Sequence, residues 1–372
     1  MNNRLEELLD FLEATLDPER QAAAEALFSR SLSYQPVGRP PLVVRHPLPE
    51  DFRFQPYPHR EVFDDPAKML FNEMVYAFGS SIACRSRRND DLPLTVRANF
   101  GTVIIASLYG ARVEQRDDDP PWIRRDEDHP VHPRAILDHD PADTSRGWGP
   151  RVLRTMQFYR KVLAERPKLR DLIRIVLPDM QGPLDNLELI CGSAVFAALH
   201  TDSEAVARAL AHLAEAQIAF AREARRWTSD RADAFCHQHA VMLKGNILIR
   251  NDSAILISPD MYRDLVAPHD ARVLEALGGG GIHSCGRIDS HAAAFLNVPH
   301  VTSIDLGQPE LNDVDAIYAR ARESRIPLIR VTAGGDELRN GTVRRRFPTG
   351  VVLVHQAQSL NAANEIAKAY KE

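Results

Sequence analysis

The stretch from residue 278 to residue 291, GGGGIHSCGRIDSH, carries side chains that bind soft metal ions. His283 and Cys285 are two residues apart, so on a strand both side chains point to the same face. An imidazole nitrogen and a thiolate sulfur are two of the ligands that zinc takes in proteins. The pattern favours half of a zinc site. A buried strand end that happens to carry two polar atoms has the same spacing.

A second pair of residues with the same spacing is found at His237 and His239. On a strand these two rings would share one face, where they would bind a metal or line a substrate pocket. Asp252 follows another apolar run and is an acid–base candidate, although an Asn-Asp-Ser cluster is also common in turns. We predict Asp252, His237 and His239 as catalytic residues.

Apolar, β-branched runs alternate with amphipathic helical segments through the second half of the chain. These runs cover residues 172–177, 246–250, 281–283, 302–306, 327–331 and 351–355. Alternating units of this kind imply parallel strands. Runs at 41–44 and 95–98 bring the total to about eight, the number at which a parallel sheet closes into a TIM barrel. We predict an α/β fold, with a TIM (β/α)8 barrel over 41–372 and a helical extension over 1–40. An open doubly wound sheet is the alternative.

Polar side chains follow the carboxyl ends of the predicted strands, where the active sites of such barrels lie. We predict that four of them bind a small-molecule substrate: Asp179, Gln181, Asp305 and Gln308. Asp305 has a second reading, since a carboxylate often fixes the tautomer of a ligating histidine such as His283. Asp179 and Gln181 also precede Gly182-Pro183, where helix capping competes with a role in the pocket.

Composition excludes several classes of function. A net charge of −5 argues against a nucleic-acid partner, because proteins that bind phosphate backbones present a basic face. The sequence has neither a run of about 18 apolar residues nor a signal-peptide pattern at its beginning. Four widely spaced cysteines suit a reducing compartment, so we expect a cytoplasmic protein without membrane contact. The strands lack a G-x-G-x-x-G motif, and no Lys-Ser/Thr follows the glycine run, so we expect no nucleotide cofactor.

Four segments, in order, resemble the uroporphyrinogen decarboxylase superfamily. They are DPAKML (65–70), DDLPLTVRANFGTVIIASLYGARVEQRDDDPPW (90–122), LPDMQGPLDNLELICG (177–192) and ISPDMYRDLVAPHDARVLEALGGGGIHSCGR (257–287). The superfamily also contains zinc-dependent methyltransferases that move a methyl group from a corrinoid protein to a thiol such as coenzyme M. The resemblance runs from about residue 40 to the C-terminus. It implies a TIM barrel with its active site at the carboxyl ends of the strands.

The resemblance also implies roles for particular residues. In the methyltransferases this His and Cys bind zinc together with a Cys at the end of the last strand, a position that His355 occupies here. The implied ligands are therefore His283, Cys285 and His355, which leave a fourth zinc position open. A set with one thiolate leaves a net charge of +1, which favours water activation over thiol alkylation. Arg45 falls where the decarboxylases carry an arginine-rich segment that binds substrate carboxylates, and only its first arginine is matched.

Three functions are compatible with these residues. The first is a zinc-dependent methyltransferase-like enzyme acting between a corrinoid protein and a thiol. The second is a cofactor-free decarboxylase, which requires cationic side chains in its pocket to bind the substrate carboxylates. The third is a binding protein that retains the barrel without the chemistry. Assembly as a homodimer stays open.

Overall fold

The computed structural model describes residues 3–115, 119–125, 131–230 and 234–372 and is an α/β structure. Its α-helices are α1 Asn3–Thr15, α2 Pro18–Leu32, α3 Pro66–Val75, α4 Ile104–Leu108, α5 Gly149–Ala164, α6 Pro167–Leu172, α7 Pro183–Cys191, α8 Ala194–Thr201, α9 Ser203–Arg225, α10 Pro259–Met261, α11 Ala267–Leu277, α12 Ala292–Leu296, α13 Val314–Glu323, α14 Gly335–Arg339, α15 Thr342–Arg346 and α16 Leu360–Lys371. A π-helical turn, Tyr262–Val266, joins α10 to α11. Among the described helices, none combines the length and the apolar character that crossing a membrane would need.

The strands are β1 Leu42–Arg45, β2 Thr95–Arg97, β3 Val113–Glu114, β4 Trp122–Ile123, β5 Arg174–Val176, β6 Met180–Gln181, β7 Phe235–Gln238, β8 Val241–Lys244, β9 Leu248–Arg250, β10 Gly280–Ser284, β11 Val301–Leu306, β12 Leu328–Thr332 and β13 Val351–Gln356. Seven of them form one parallel sheet in the order β1-β13-β12-β11-β10-β9-β6. β2 pairs with β5 in parallel, while β3–β4 and β7–β8 are antiparallel pairs. Each run that the sequence predicted as a strand contains one, which confirms the α/β class.

Alternation along the strands separates two apolar clusters on opposite faces of the sheet. On β1, Leu42 and Val44 belong to the larger cluster, whereas Val43 between them belongs to a smaller one. β13 repeats the pattern with Val352 in the smaller cluster. Successive side chains of a strand point to opposite faces, so both faces of this sheet are covered.

The β7–β8 hairpin packs on one face of the sheet and forms much of the smaller cluster. Its buried members are Phe28, Leu32, Val43, Leu92, Cys236, Val241, Met242, Leu243, Leu248, Ile329 and Val352. Val43 on β1 and Leu248 on β9 lie five strands apart in the order, which is about 24 Å in a flat sheet. Because this cluster contains both, it spans the sheet from β1 to β9 on the side where the hairpin packs. Phe28 and Leu32 complete the cluster. Both lie on α2, which belongs to the predicted N-terminal extension.

The glycine run before His283 has a structural explanation. Gly278 ends α11 in the left-handed region at φ 83°, and Gly279 follows at φ 86°. This is the C-cap arrangement that glycine favours. Gly281 lies inside β10, where an added Cβ would approach Leu248 Cδ1 to 2.7 Å and Leu243 Cδ1 to 3.5 Å. The run therefore serves a turn and the close packing of the hairpin against β10.

Acidic side chains bind the edge of β1 that faces away from β13. The backbone N–H of Leu42 donates to Asp91 Oδ2 at 2.9 Å, and the N–H of Val44 donates to Asp90 Oδ2 at 2.9 Å. The Arg88 side chain, 1% exposed, donates to Asp90 and to the carbonyl of Val44. Burial opposes ionisation of Asp90, but Arg88 and Arg85 hold its pKa below the ordinary value. These contacts fix the chain just before β2 beside β1.

We expect Asp90→Asn to destabilise the fold, because Arg85 and Arg88 would lose their buried counter-charge. Breaking a buried ion pair by removing one partner costs about 3–5 kcal/mol. Unfolding in urea, followed by circular dichroism, measures the change. Asp171→Asn is the matched control, because Asp171 pairs with Arg170 at an exposed position, and the midpoint should stay unchanged. Equal stability of Asp90→Asn and wild type would contradict the role given to this carboxylate.

Candidate metal centre

The ends of two neighbouring strands bring three potential metal ligands together. β9 and β10 are parallel, and Arg250 lies opposite His283 in their register. Asp252 and Cys285 each come two residues after this pair, so both side chains leave the sheet at the same edge. The ligand atoms of Asp252, His283 and Cys285 all lie within 4.8 Å of one another.

The distances within this group suit a shared cation. His283 Nε2 is 3.4 Å from Cys285 Sγ and 3.5 Å from Asp252 Oδ1. The backbone N–H of Cys285 donates to Asp252 Oδ1 at 2.7 Å, which fixes the carboxylate beside the thiol. Zinc accepts carboxylate oxygen, imidazole nitrogen and thiolate sulfur, so all three donors fit it.

The electrostatics of Cys285 oppose a bare thiolate. Burial, together with the nearby charge of Asp252, raises the pKa of Cys285 to about 12. A carboxylate and a thiolate repel each other at this distance unless a cation lies between them. Coordination to a metal ion deprotonates a thiol outright. The group is therefore suited to bind a divalent ion and poorly suited to supply a free thiolate nucleophile.

His283 is oriented by Asp305 and Arg330. Its Nδ1 lies 3.1 Å from Asp305 Oδ2, and Arg330 donates to both oxygens of Asp305, at 2.6 and 2.5 Å. Burial disfavours the charged form of Asp305, but Arg330 and His283 hold its pKa far below the ordinary value. When Nδ1 donates to this carboxylate, the lone pair of Nε2 faces Cys285 and Asp252, as a metal ligand requires.

A second buried carboxylate, Asp179, organises the opposite side of the site. It accepts hydrogen bonds from Arg97 and Arg250, and His239 Nε2 lies 2.8 Å from its Oδ1. Burial opposes its ionisation, yet Arg250, Arg97 and His239 hold its pKa well below the ordinary value. The rings of His239 and His283 are 6.5 Å apart, so this network and the candidate metal ligands border one space.

His239 reaches this space from the tip of the β7–β8 hairpin, whereas His237 does not join the metal group. The ring of His237 is paired with Asp230, with Nδ1 2.7 Å from Oδ1. His239 and Ala240 form the turn at φ 47° and 59°, a left-handed conformation that side chains other than glycine rarely adopt. The predicted catalytic pair is thus divided between two environments.

His355, the third ligand that the resemblance implies, is not one of the three grouped residues, which include Asp252 instead. His355 Nδ1 lies 2.8 Å from the carbonyl of Ala333, at the end of β13. In the sheet order β12 and β11 separate β13 from β10. Its role as a metal ligand stays a prediction.

The other predicted residues have identifiable contacts. Gln308 Oε1 accepts the N–H of Gly286 at 2.8 Å and so holds the loop after Cys285. Gln181 is buried opposite Arg250 on β6, and its carbonyl accepts a hydrogen bond from Asn186. Arg45, at the end of β1, is half-buried. Burial and the neighbouring charge of Arg330 lower the pKa of Arg45. Their contacts to a substrate stay predictions.

Sequence reasoning missed three arginines and a glycine. Arg97, Arg250 and Arg330 meet at the site from β2, β9 and β12, and together with Arg45 we call them the arginine group. A Cβ at Gly307 would lie 2.8 Å from Cys285 Sγ, so only glycine leaves room for that side chain. Arginine is usually exposed, and a lone glycine after a strand is common, so neither carried a signal in the sequence.

The sequence matches no protein-family model and no curated protein among those compared. The resemblance drawn from the four segments therefore stays an expectation.

We expect the purified protein to bind about one zinc per chain through the three grouped residues. Asp252→Asn, His283→Ala and Cys285→Ser should each weaken binding at least tenfold, because losing a ligand costs no less than losing a residue that supports one. Equilibrium titration against a zinc-sensitive chelating dye measures the affinity. His355→Ala is the discriminating variant and should retain zinc. Loss of zinc in His355→Ala, with Asp252→Asn unaffected, would restore the ligand set implied by the resemblance.

Asp270 supports the site from behind, and its burial gives a pH dependence. It accepts hydrogen bonds from Asn251 Nδ2 at 2.6 Å and from the Tyr262 hydroxyl at 2.7 Å. Burial raises the pKa of Asp270 to about 7. The folded state therefore binds this proton more tightly than the unfolded state, and the contribution of Asp270 to stability should fall as the pH rises from about 4 to about 7.

Asp270→Asn should remove this contribution while keeping most of the contacts. The free energy of unfolding at pH 7 minus that at pH 4 should therefore be more positive in the variant than in wild type, by a few kcal/mol. Urea unfolding at a series of pH values, on the metal-free protein, measures the slope. Parallel slopes for Asp270→Asn and wild type would show that this carboxyl group is ionised in the folded state at low pH.

Proposed function

We propose that this protein is a zinc-dependent methyltransferase-like enzyme that transfers a methyl group between a corrinoid and a thiol. The observation that supports this most is the position of Asp252 beside His283 and Cys285. A carboxylate, a thiolate and a neutral imidazole balance the charge of Zn²⁺, whereas two imidazoles and one thiolate leave a net charge of +1.

The balanced charge bears directly on thiol chemistry. A cationic centre withdraws electrons from a sulfur bound to it and makes that sulfur a poorer nucleophile. With Asp252 as the third ligand, the objection that the one-thiolate set raised against thiol alkylation no longer holds. A substrate thiol bound at the open fourth position of a zinc ion would be favoured in its thiolate form at neutral pH.

The surrounding residues supply orientation and a neutral imidazole. Asp305 lies 3.1 Å from His283 Nδ1 and favours the tautomer that ligates through Nε2, while Arg330, which binds Asp305, also lies 2.7 Å from Nδ1. The ring centre of His239 is 6.5 Å from that of His283, and burial together with Arg250 lowers the pKa of His239 well below the ordinary value. The charged form of His239 is therefore disfavoured, and a neutral imidazole lies beside the region in which a substrate thiol would bind.

We also propose that the sheet closes into the predicted TIM barrel. Two observations support closure: one apolar cluster around the β7–β8 hairpin links β1 to β9, and Asp90 and Asp91 join β1 to the chain before β2, a strand that pairs with β5 outside the seven-stranded sheet. The candidate ligands would then lie at the carboxyl-end rim, where barrel active sites are found. The resemblance to the methyltransferases supports the same placement and a corrinoid protein as partner, and the four widely spaced cysteines support a cytoplasmic location.

The arginine group favours decarboxylation as the second candidate function. That reaction needs cationic side chains to bind substrate carboxylates, and the Arg45 side chain makes no hydrogen bond or ion pair among the described residues, although the charge of Asp305 is close enough to raise its pKa against the lowering effect of burial. Two ionised carboxylates, Asp179 and Asp305, face four arginines, so the site has cationic charge to spare for a substrate. Because an anionic thiol such as coenzyme M would use the same charge, the first function also accommodates this observation.

Zinc-loaded protein should demethylate methylcobalamin in the presence of 2-mercaptoethanesulfonate. The loss of methylcobalamin absorbance and the S-methyl product detected by mass spectrometry measure the rate. Asp252→Asn should lower this rate at least tenfold, because removing a metal ligand should impair the site at least as much as removing a residue that hydrogen-bonds to a ligand. Asp260→Asn, which alters an exposed carboxylate in the next helix, should leave it unchanged. Zinc-independent release of CO2 from carboxylic acids, without methyl transfer, would favour the decarboxylase instead.

A further inference from the structure

A tight turn at residues 77–80 places an aromatic ring at the edge of the candidate site. Ala77 and Ser80 exchange backbone hydrogen bonds of 2.8 and 2.9 Å, with Phe78 and Gly79 between them at φ 51° and 75°. Positive φ at both central residues is the pattern of a two-residue type I′ turn. The carbonyl of Gly79 accepts the N–H of His46 at 2.8 Å, which ties the turn to the end of β1.

Phe78 is an unfavourable residue for this turn on local grounds. The first central position is normally Asn, Asp or Gly, because a Cβ is strained in the left-handed region. Phe78 is also 36% exposed, among the largest exposures of the described large apolar side chains. Neither backbone preference nor burial explains a phenylalanine here. Strained residues of this kind concentrate at binding sites, where the surrounding structure holds them.

The contacts of the ring connect it to the candidate site. The guanidinium carbon of Arg97 lies 3.8 Å from the Phe78 ring centre, and the ring of His239 lies 4.5 Å away. His239 is itself the tip of the strained β7–β8 turn. Two strained turns thus meet, and Phe78 lies next to residues that border the candidate metal ligands.

The space under the ring is too small for a ligand. Phe78, Arg97, His239 and Glu73 border a cavity of about 20 Å³, which admits about one water molecule. The guanidinium of Arg97 lies over one face of the ring, and the side chain as a whole is 36% exposed. A substrate group would therefore contact the exposed part of Phe78 rather than the cavity beneath it.

We propose that Phe78 is a specificity-determining residue that selects substrates with a planar aryl group, which stacks on its exposed face. The inference rests on the proposed function, since it takes the space between the arginine group and the candidate metal ligands as the substrate site. Arg97 behind the ring and the remaining arginines beside it suit an aryl group that carries an anionic substituent. An aromatic pair adds selectivity over a saturated ring of the same size, because stacking contributes beyond the area buried.

The test uses two acids of equal charge that differ in their rings, benzoate and cyclohexanecarboxylate. Calorimetric titration of each acid, into zinc-loaded and into metal-free protein, gives the ratio of the two affinities. We expect benzoate to bind roughly 2- to 12-fold more tightly to wild type and to Phe78→Tyr. In Phe78→Leu and Phe78→Asn the ratio should fall to about 1.

Phe78→Asn distinguishes the effect of the ring on binding from an effect on folding, because asparagine tolerates a positive φ. The variant should not lower the melting temperature. Leu256→Asn is the matched control, since Leu256 is an exposed apolar residue near the end of β9, and it should keep the wild-type ratio.

A wild-type ratio of about 1, a preference retained in Phe78→Asn, tighter benzoate binding in Phe78→Leu, or no binding of either acid would each overturn the inference. Failure to bind zinc would instead overturn the proposed function, and the ratio in metal-free protein would still decide the role of Phe78.

Discussion

Two buried carboxylates, Asp179 and Asp305, hold the carboxyl ends of the strands together. Asp305 on β11 bonds to Arg330 on β12 and faces His283 on β10, while Asp179 bonds to Arg97 on β2 and Arg250 on β9. An arginine cannot lose its charge, so each buried guanidinium depends on one of these acids. The paired charges fix the strand ends in one arrangement, and the histidines between them take their orientation from it.

Local strain is also found in this place. Arg330, His239 and Phe78 are three of the eight described residues other than glycine that have positive φ values. At Arg330 the unusual backbone directs the side chain to both oxygens of Asp305, and at His239 it brings the ring to Asp179. The ion pairs offset the strain, because releasing the backbone would leave charges buried without partners. The backbone conformations at these residues differ from those that their residue types favour, which is expected where a site fixes the backbone.

The sequence predicted the strands well because their apolar runs are short, β-branched and separated by clear helical segments. It missed the β7–β8 hairpin, because the turn residues His239 and Ala240 replace the Asn-Gly signal that marks such turns. The pair His283 and Cys285 was found by its spacing, which directly reflects the geometry of a strand. Arg97, Arg250 and Arg330 are more than 70 residues apart at each step, so no local spacing marks them as a group. Arg250 and Arg330 share the seven-stranded sheet, and Arg97 reaches them from the separate β2–β5 pair.

The choice of a third ligand shows the same limit in sharper form. The resemblance implies His355, which ends the last strand, whereas Asp252 resembled an ordinary turn residue. In the sheet, β9 is the direct neighbour of β10, and Asp252 and Cys285 follow the paired residues Arg250 and His283 by the same two positions. β13 lies three strands from β10, about 14 Å along a flat sheet, and curvature must remove most of that distance before His355 could coordinate. Register therefore favours the carboxylate, and the identity of this one ligand sets the charge of the centre. A neutral set preserves the nucleophilicity of a sulfur, whereas a cationic set favours water, so with a bound zinc ion the pairing of two adjacent strands would decide between the two chemistries.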